Sequence, residues 1–186
     1  NYDSSKAVTP AIMDSRLDFY IHNVMGHVMD KEKALTGSAG SIVYAWDVVN
    51  EYLHRPSFAF FKTWTSVYGD MGNSPSYVKK AFEIAYDMLK SYQATDKVTL
   101  FYNDYNTYFG VEDTLNLVEF INKGETAKIC GGIGMQSHVD VKVPTVAKYG
   151  CALEQFLAAG YEIQITELDF TINFDTEGAN ASYSYT

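Results

Sequence analysis

Residues 42–51 read IVYAWDVVNE. A run rich in β-branched and aromatic side chains ends at once in an amide, Asn50, and a carboxylic acid, Glu51. The run is too short for a buried helix and reads as a strand covered on both faces. The same arrangement recurs three times. VTLFY at 98–102 runs into NDYN at 103–106, ICGGIGM at 129–135 into QSH at 136–138, and YEIQI at 161–165 into TELD at 166–169. Helical periodicity fills the gaps. Thr9-Pro10 starts a helix carrying Met13, Leu17, Tyr20, Ile21, Val24, Met25 and Val28, and residues 33–41 read as a loop. Residues 76–92 place Val78, Ala81, Phe82, Ala85 and Leu89 on one face, residues 113–122 stop at Lys123-Gly124, and residues 144–159 close at Gly160. Near-continuous apolar strands alternating with amphipathic helices imply βα units, hence a parallel α/β sheet.

The totals exclude several classes of function. The 186-residue chain has enough length for one domain with a sizeable core. Its net charge of −9 argues against nucleic acid as a partner, because phosphate binding needs clustered Lys and Arg. No apolar run reaches the length of a membrane span, and the start has no signal-peptide pattern. Two cysteines, Cys130 and Cys151, are too few for a disulfide scaffold and read as buried free thiols. The 15 tyrosines suit a cleft that stacks on flat, hydroxyl-rich ligands.

The polar strand ends carry the chemistry. Ligands of parallel α/β folds bind at the carboxyl ends of strands. A solvated loop explains one polar tip, but four in succession point to a shared site. Glu51 and Glu167 stand on different tips and suit acid/base work if their strands curl round a common axis. Cleaving a glycosidic bond needs a proton on the leaving oxygen and a negative group facing the anomeric carbon, with the carboxyls about 5–5.5 Å apart in retaining enzymes. Asn50 and Gln136 can hydrogen-bond sugar hydroxyls beside them, and His138 can hold Glu167 in place. Other polar residues read as structural. Asp47 reads as a buried, hydrogen-bonded carboxylate, and His22 and His27 as solvated or interhelical. The Glu51-x-x-His54 spacing lacks the second copy that a di-iron site needs, so no metal or other cofactor is expected. GGIG at 131–134 reads as a place where backbone and substrate approach closely, and Asn180-Ala181-Ser182 is a glycosylation sequon.

WDVVNE (46–51), NDYN, GIGMQSH (132–138) and ITELD (165–169) resemble, in that order, the motifs of glycoside hydrolase family 10, the β-1,4-xylanases. The resemblance implies an α/β fold, the (β/α)8 TIM barrel, present as an incomplete portion with about four parallel strands. It makes Glu51 the general acid/base and Glu167 the nucleophile of a retaining double displacement. Asn50 would bind the 2-hydroxyl of the attacked sugar, and Gln136 would line the cleavage subsite. His138 would hydrogen-bond the nucleophile, Asp169 would orient that histidine, and Tyr105 and Asn106 would line the leaving-group side.

The same resemblance sets the extent. Residues 1–186 would be the central part of a single catalytic domain, from the segment before helix three to just after strand seven. Strands one to three and strand eight would lie outside the chain. The implied partners are xylan or xylo-oligosaccharides, together with the missing segments of the same enzyme or a carbohydrate-binding module inserted near residue 1. A polymeric substrate implies a secreted, cell-surface or periplasmic protein. The alternatives are an inactive or non-catalytic fragment that at most binds xylan, or a related β-1,4-glucanase.

Overall fold

The computed structural model describes residues 7–54 and 64–172. The sequon and most of the segment proposed to accept an inserted module lie outside them. Helix α1 (Pro10–Thr36) starts where Thr9 accepts a hydrogen bond from the Ile12 amide and ends at Gly37, whose φ of 87° closes the last turn onto Lys33. It therefore overruns the expected loop start at residue 33, because Lys33, Ala34 and Leu35 favour helix and the stop signal is the glycine. Glu32, 4% exposed, turns the chain back by accepting the amides of Gly40, Ile42 and Val43. Burial pushes its carboxyl pKa up, but the three donors outweigh that and the net shift is downward.

Strands β1 (Ala45–Asn50), β2 (Thr99–Asp104), β3 (Gly132–Met135) and β5 (Glu162–Ile165) form one parallel sheet in the order β1-β2-β3-β5. Each strand pairs with the one before it, so the order never reverses as it does in a doubly wound sheet. The result is an arc of a barrel. Short helix α2 (Thr65–Tyr68) and helices α3 (Ser76–Ser91), α4 (Val111–Asn122) and α5 (Val146–Ala158) form the connections. Strand β1 starts three residues later than expected, whereas β2 includes Asn103 and Asp104. A two-stranded parallel pair, β4 (His138–Asp140) with β6 (Asp169–Thr171), was not expected and extends beyond the tips of β3 and β5.

The core lies between sheet and helices. Leu100, Tyr102, Ile133 and Met135 meet a layer that includes Phe82, Leu89, Leu117, Ile121 and Phe156, all at most 2% exposed. Burying each such side chain contributes about 1.5–3 kcal/mol. Helix α5 turns Ala152 and Phe156 inward, which leaves Cys151 exposed, contrary to the expected buried thiol. Cys130 is buried, and desolvation pushes its thiol pKa up to about 12.

The opposite face of the sheet carries the site. The register sets Asp47 beside Phe101 and Gly132, and Asn50 beside Asn103 and Gly134. A bulge between Asp47 and Val49 makes this possible. Strict alternation from Asp47 would send Asn50 to the helices; one extra residue returns it to the open face. Asp47 itself faces that open side of the arc and has no hydrogen bond or ion pair among the described residues, unlike the hydrogen-bonded carboxylate expected. Its carboxyl pKa is raised, first by desolvation and then by the charge of Glu167. The GGIG expectation also changes. A Cβ on Gly132 would lie 2.1 Å from the Phe101 ring, and one on Gly134 would lie 2.4 Å from Asn103 Oδ1. These glycines make room for side chains of the neighbouring strand.

Candidate active site

Main-chain bonds hold the strand tips. The Glu51 amide donates to the Asn103 carbonyl at 2.9 Å, that of Gln136 to Asp104 at 3.0 Å, and that of Glu167 to Gln136 at 3.0 Å. The ladder thus continues past the strands, and the side chains project from fixed backbone. Glu51 adopts φ 58°, a left-handed conformation that costs a non-glycine residue about 1–3 kcal/mol and is characteristic of functional sites. Asn106 (φ 51°) and Ser137 (φ 67°) at the next two tips do the same.

Side-chain amides join the two glutamates. Gln136 Nε2 donates to Glu51 Oε1 at 2.8 Å and to Asn50 Oδ1 at 3.1 Å. Asn103 Nδ2 donates to the same Asn50 oxygen at 2.9 Å and to Glu167 Oε1 at 2.8 Å. Thr166 Oγ1 donates to Asn103 Oδ1 at 2.7 Å, which fixes the orientation of that amide. Glu51, Gln136, Asn50, Asn103 and Glu167 form one continuous chain. Both donors use the Asn50 oxygen, and its amide N–H groups have no hydrogen-bond partner among the described residues. Gln136 Oε1 is buried without a hydrogen-bond partner among the described residues.

Glu167 has a third neighbour. His138 Nε2 lies 3.3 Å from Glu167 Oε2, and its Nδ1 lies 2.8 Å from Asp169 Oδ2. The His138 pKa is raised, chiefly by the bond to Asp169, with desolvation opposing it. Ser137, buried before it, bonds the Met135 carbonyl at 2.9 Å and the Tyr149 hydroxyl at 2.7 Å, anchoring the turn that presents the imidazole.

Beyond Glu51 lies an aromatic shoulder. Tyr105 packs against His54 with ring centroids 4.1 Å apart and planes tilted by 33°. Burial raises its hydroxyl pKa, with Asp104 and then Glu51 adding to the shift. Asn106 Oδ1 accepts from the Tyr108 hydroxyl at 2.7 Å, so it braces the loop and is not wholly free for a ligand. His54 turns to Asp104 at 2.8 Å and not to Glu51. No group of three or more His, Cys, Asp or Glu that could hold a metal occurs among the described residues.

The structure therefore gathers Asn50, Glu51, Gln136, His138, Glu167 and Asp169, with Tyr105 and Asn106 on one flank. Sequence reasoning missed Asn103, Thr166 and the His54–Asp104 pair. For Asn103 a signal existed, since the tip NDYN holds it, but only the strand register singles it out from its polar neighbours.

Many known proteins are similar to this chain. Endo-1,4-beta-xylanase A of Butyrivibrio fibrisolvens is 46% identical over 184 residues, 98% of this chain and 42% of that protein. A xylanase of Thermoanaerobacterium saccharolyticum, solved as a glutamate-to-alanine mutant with xylotriose, superposes with a TM-score of 0.68 at 30% identity, covering 94% of this chain and 49% of that one. The CBM22-1 and GH10 modules of xylanase 10B from Clostridium thermocellum, solved with xylohexaose, give 0.68 at 28% identity, covering 95% and 34%. The chain thus spans under half the length of each of these relatives. Residues 1–185 match the model of Glycosyl hydrolase family 10, and the parallel arc is a portion of that family's (β/α)8 barrel. The chain belongs to glycosyl hydrolase family 10.

Proposed function

We propose that this chain carries the catalytic centre of a retaining endo-β-1,4-xylanase. One observation carries the reading: Glu51 and Glu167, on tips with two strands between them, are joined through Gln136, Asn50 and Asn103. That bridge fixes both carboxyls relative to each other before substrate arrives, which is the preorganisation the chemistry needs.

In this mechanism Glu167 attacks the anomeric carbon while Glu51 gives its proton to the leaving oxygen. A glycosyl ester forms on Glu167 and the glycosidic C–O bond breaks. Glu51, now a carboxylate, takes a proton from water, and that water displaces Glu167 with net retention. The amide N–H groups of Asn50 hold a sugar hydroxyl, and His138, fixed by Asp169, steadies the charge of Glu167. The test compares Glu51→Gln on substrates with poor and good leaving groups. Hydrolysis of an aryl xyloside with a good leaving group survives, whereas hydrolysis of xylan falls steeply. Intact xylan hydrolysis by Glu51→Gln sinks the assignment.

The extent follows the same reading. Residues 1–186 form the central part of one catalytic domain, and its remaining strands come from other segments of the same enzyme. The substrates are xylan or xylo-oligosaccharides, and the further partners are the missing segments of the same enzyme or an inserted carbohydrate-binding module. A polymeric substrate supports a location outside the cytoplasm, secreted or at the cell surface or in the periplasm. Fractionation of the source cells with activity staining decides that point.

A further inference from the structure

Asp104 is fully buried, yet the mechanism above does not use it. Its carboxylate sits on the helix-facing side of β2, where desolvation raises its pKa. It accepts from the Tyr102 hydroxyl, the Tyr105 amide at 2.8 Å and His54 Nδ1 at 2.8 Å. A buried carboxylate with three donors is costly to assemble and fixes whatever it binds. What it binds is the turn after Glu51 and the aromatic shoulder beside it. The same Tyr102 hydroxyl accepts the Leu53 amide at 3.0 Å, and Tyr52 donates to the Gly72 carbonyl at 2.6 Å. Tyr105 is held on three sides by this pair: its ring on His54, its amide on Asp104, and its hydroxyl on the His54 carbonyl at 3.5 Å.

We propose that His54, locked by Asp104, is a positioning residue for the leaving-group sugar, acting through the ring of Tyr105. The imidazole is a floor under that ring: Asp104 sets its plane, and the plane sets where a sugar can stack. The inference rests on the xylanase reading, because only that reading gives Tyr105 a sugar to meet. It assigns His54 no contact with the reacting atoms.

His54→Asn separates this role from folding. Asparagine places an N–H near the position of Nδ1, so Asp104 keeps a donor while the ring beneath Tyr105 is removed. The complete enzyme that contains this chain and its His54→Asn variant are assayed on xylotetraose and on an aryl β-xylobioside whose dinitrophenolate leaves without a sugar on that side. Thermal melting confirms that both are folded. The variant should lose about tenfold to a hundredfold in kcat/KM on xylotetraose, mainly through KM. On the aryl substrate it should lose less than about tenfold. Equal losses on both substrates, or none on xylotetraose, overturn the inference and leave the xylanase reading standing. A complete enzyme inactive on both substrates refutes that reading, and the inference falls with it.

Discussion

Asn103, on β2, donates a hydrogen bond of 2.8 Å across β3 to the carboxylate of Glu167, just beyond β5. Through the same nitrogen it reaches Asn50, and through its oxygen it receives Thr166. One amide, 3% exposed, thus ties three strand tips together.

Asn103→Ala should therefore weaken both stability and catalysis. Removing the amide leaves Thr166 and Asn50 short of partners, at about 1–3 kcal/mol in denaturant unfolding. Activity on xylo-oligosaccharides should drop by roughly tenfold to a hundredfold, because Glu167 loses an orienting donor. A variant with unchanged kcat would remove Asn103 from the site.

Asp169→Asn should lower the pKa of His138. The bond to Asp169 is the largest cause of the raised value, so its loss moves the imidazole back toward the ordinary 6.5. The sign for stability follows. A group with a raised folded pKa contributes stability that is fully present below its unfolded value and is lost as pH rises through the folded value. Asp169→Asn should accordingly narrow the stability difference between mildly acidic and alkaline pH. Histidine titration by NMR gives the pKa, and melting against pH gives the linkage; an unmoved His138 titration would contradict the pairing.

Gly132→Ala and Gly134→Ala should fail differently. Both add a methyl where 2.1 Å and 2.4 Å separate the new atom from its neighbour, and overpacking of this kind costs typically about 1–3 kcal/mol. At Gly132 the methyl meets Phe101, and the loss should be one of melting temperature. At Gly134 it displaces Asn103, and kcat should fall beyond what the stability change explains.

The two thiols should react unequally. Exposed Cys151 should alkylate readily in the native protein, while Cys130, buried and with a thiol pKa of about 12, should react only after denaturation. Timed mass spectrometry reads both sites.

Much of this was legible in the sequence because burial and polarity change abruptly at the strand tips. An apolar run that stops at Asn50-Glu51 or Gln136 marks both the strand and its working end. The bulge in β1 left no such mark: no glycine stands between Asp47 and Val49, and the extra residue shows only in the pairing with β2. Without it, alternation misplaces Asn50. Asp47 looked buried because its neighbours in sequence are apolar, but its side chain lies on the sheet face away from the helices. His54 looked like half of a metal motif, since sequence spacing relates it to Glu51; its partner, Asp104, is a residue fifty positions away. The β4–β6 pair was too short to show a period of its own.

The central claim is that Glu167 forms the covalent intermediate while Glu51 serves as acid and base. The most direct measurement is to treat the protein with a fluorinated aryl xylobioside, which slows breakdown of the glycosyl ester, and to map the adduct by intact and peptide mass. A single xylobiosyl adduct on Glu167, absent in Glu167→Ala, is the expected result. An adduct on another residue, or turnover with no adduct at any stage, would contradict it.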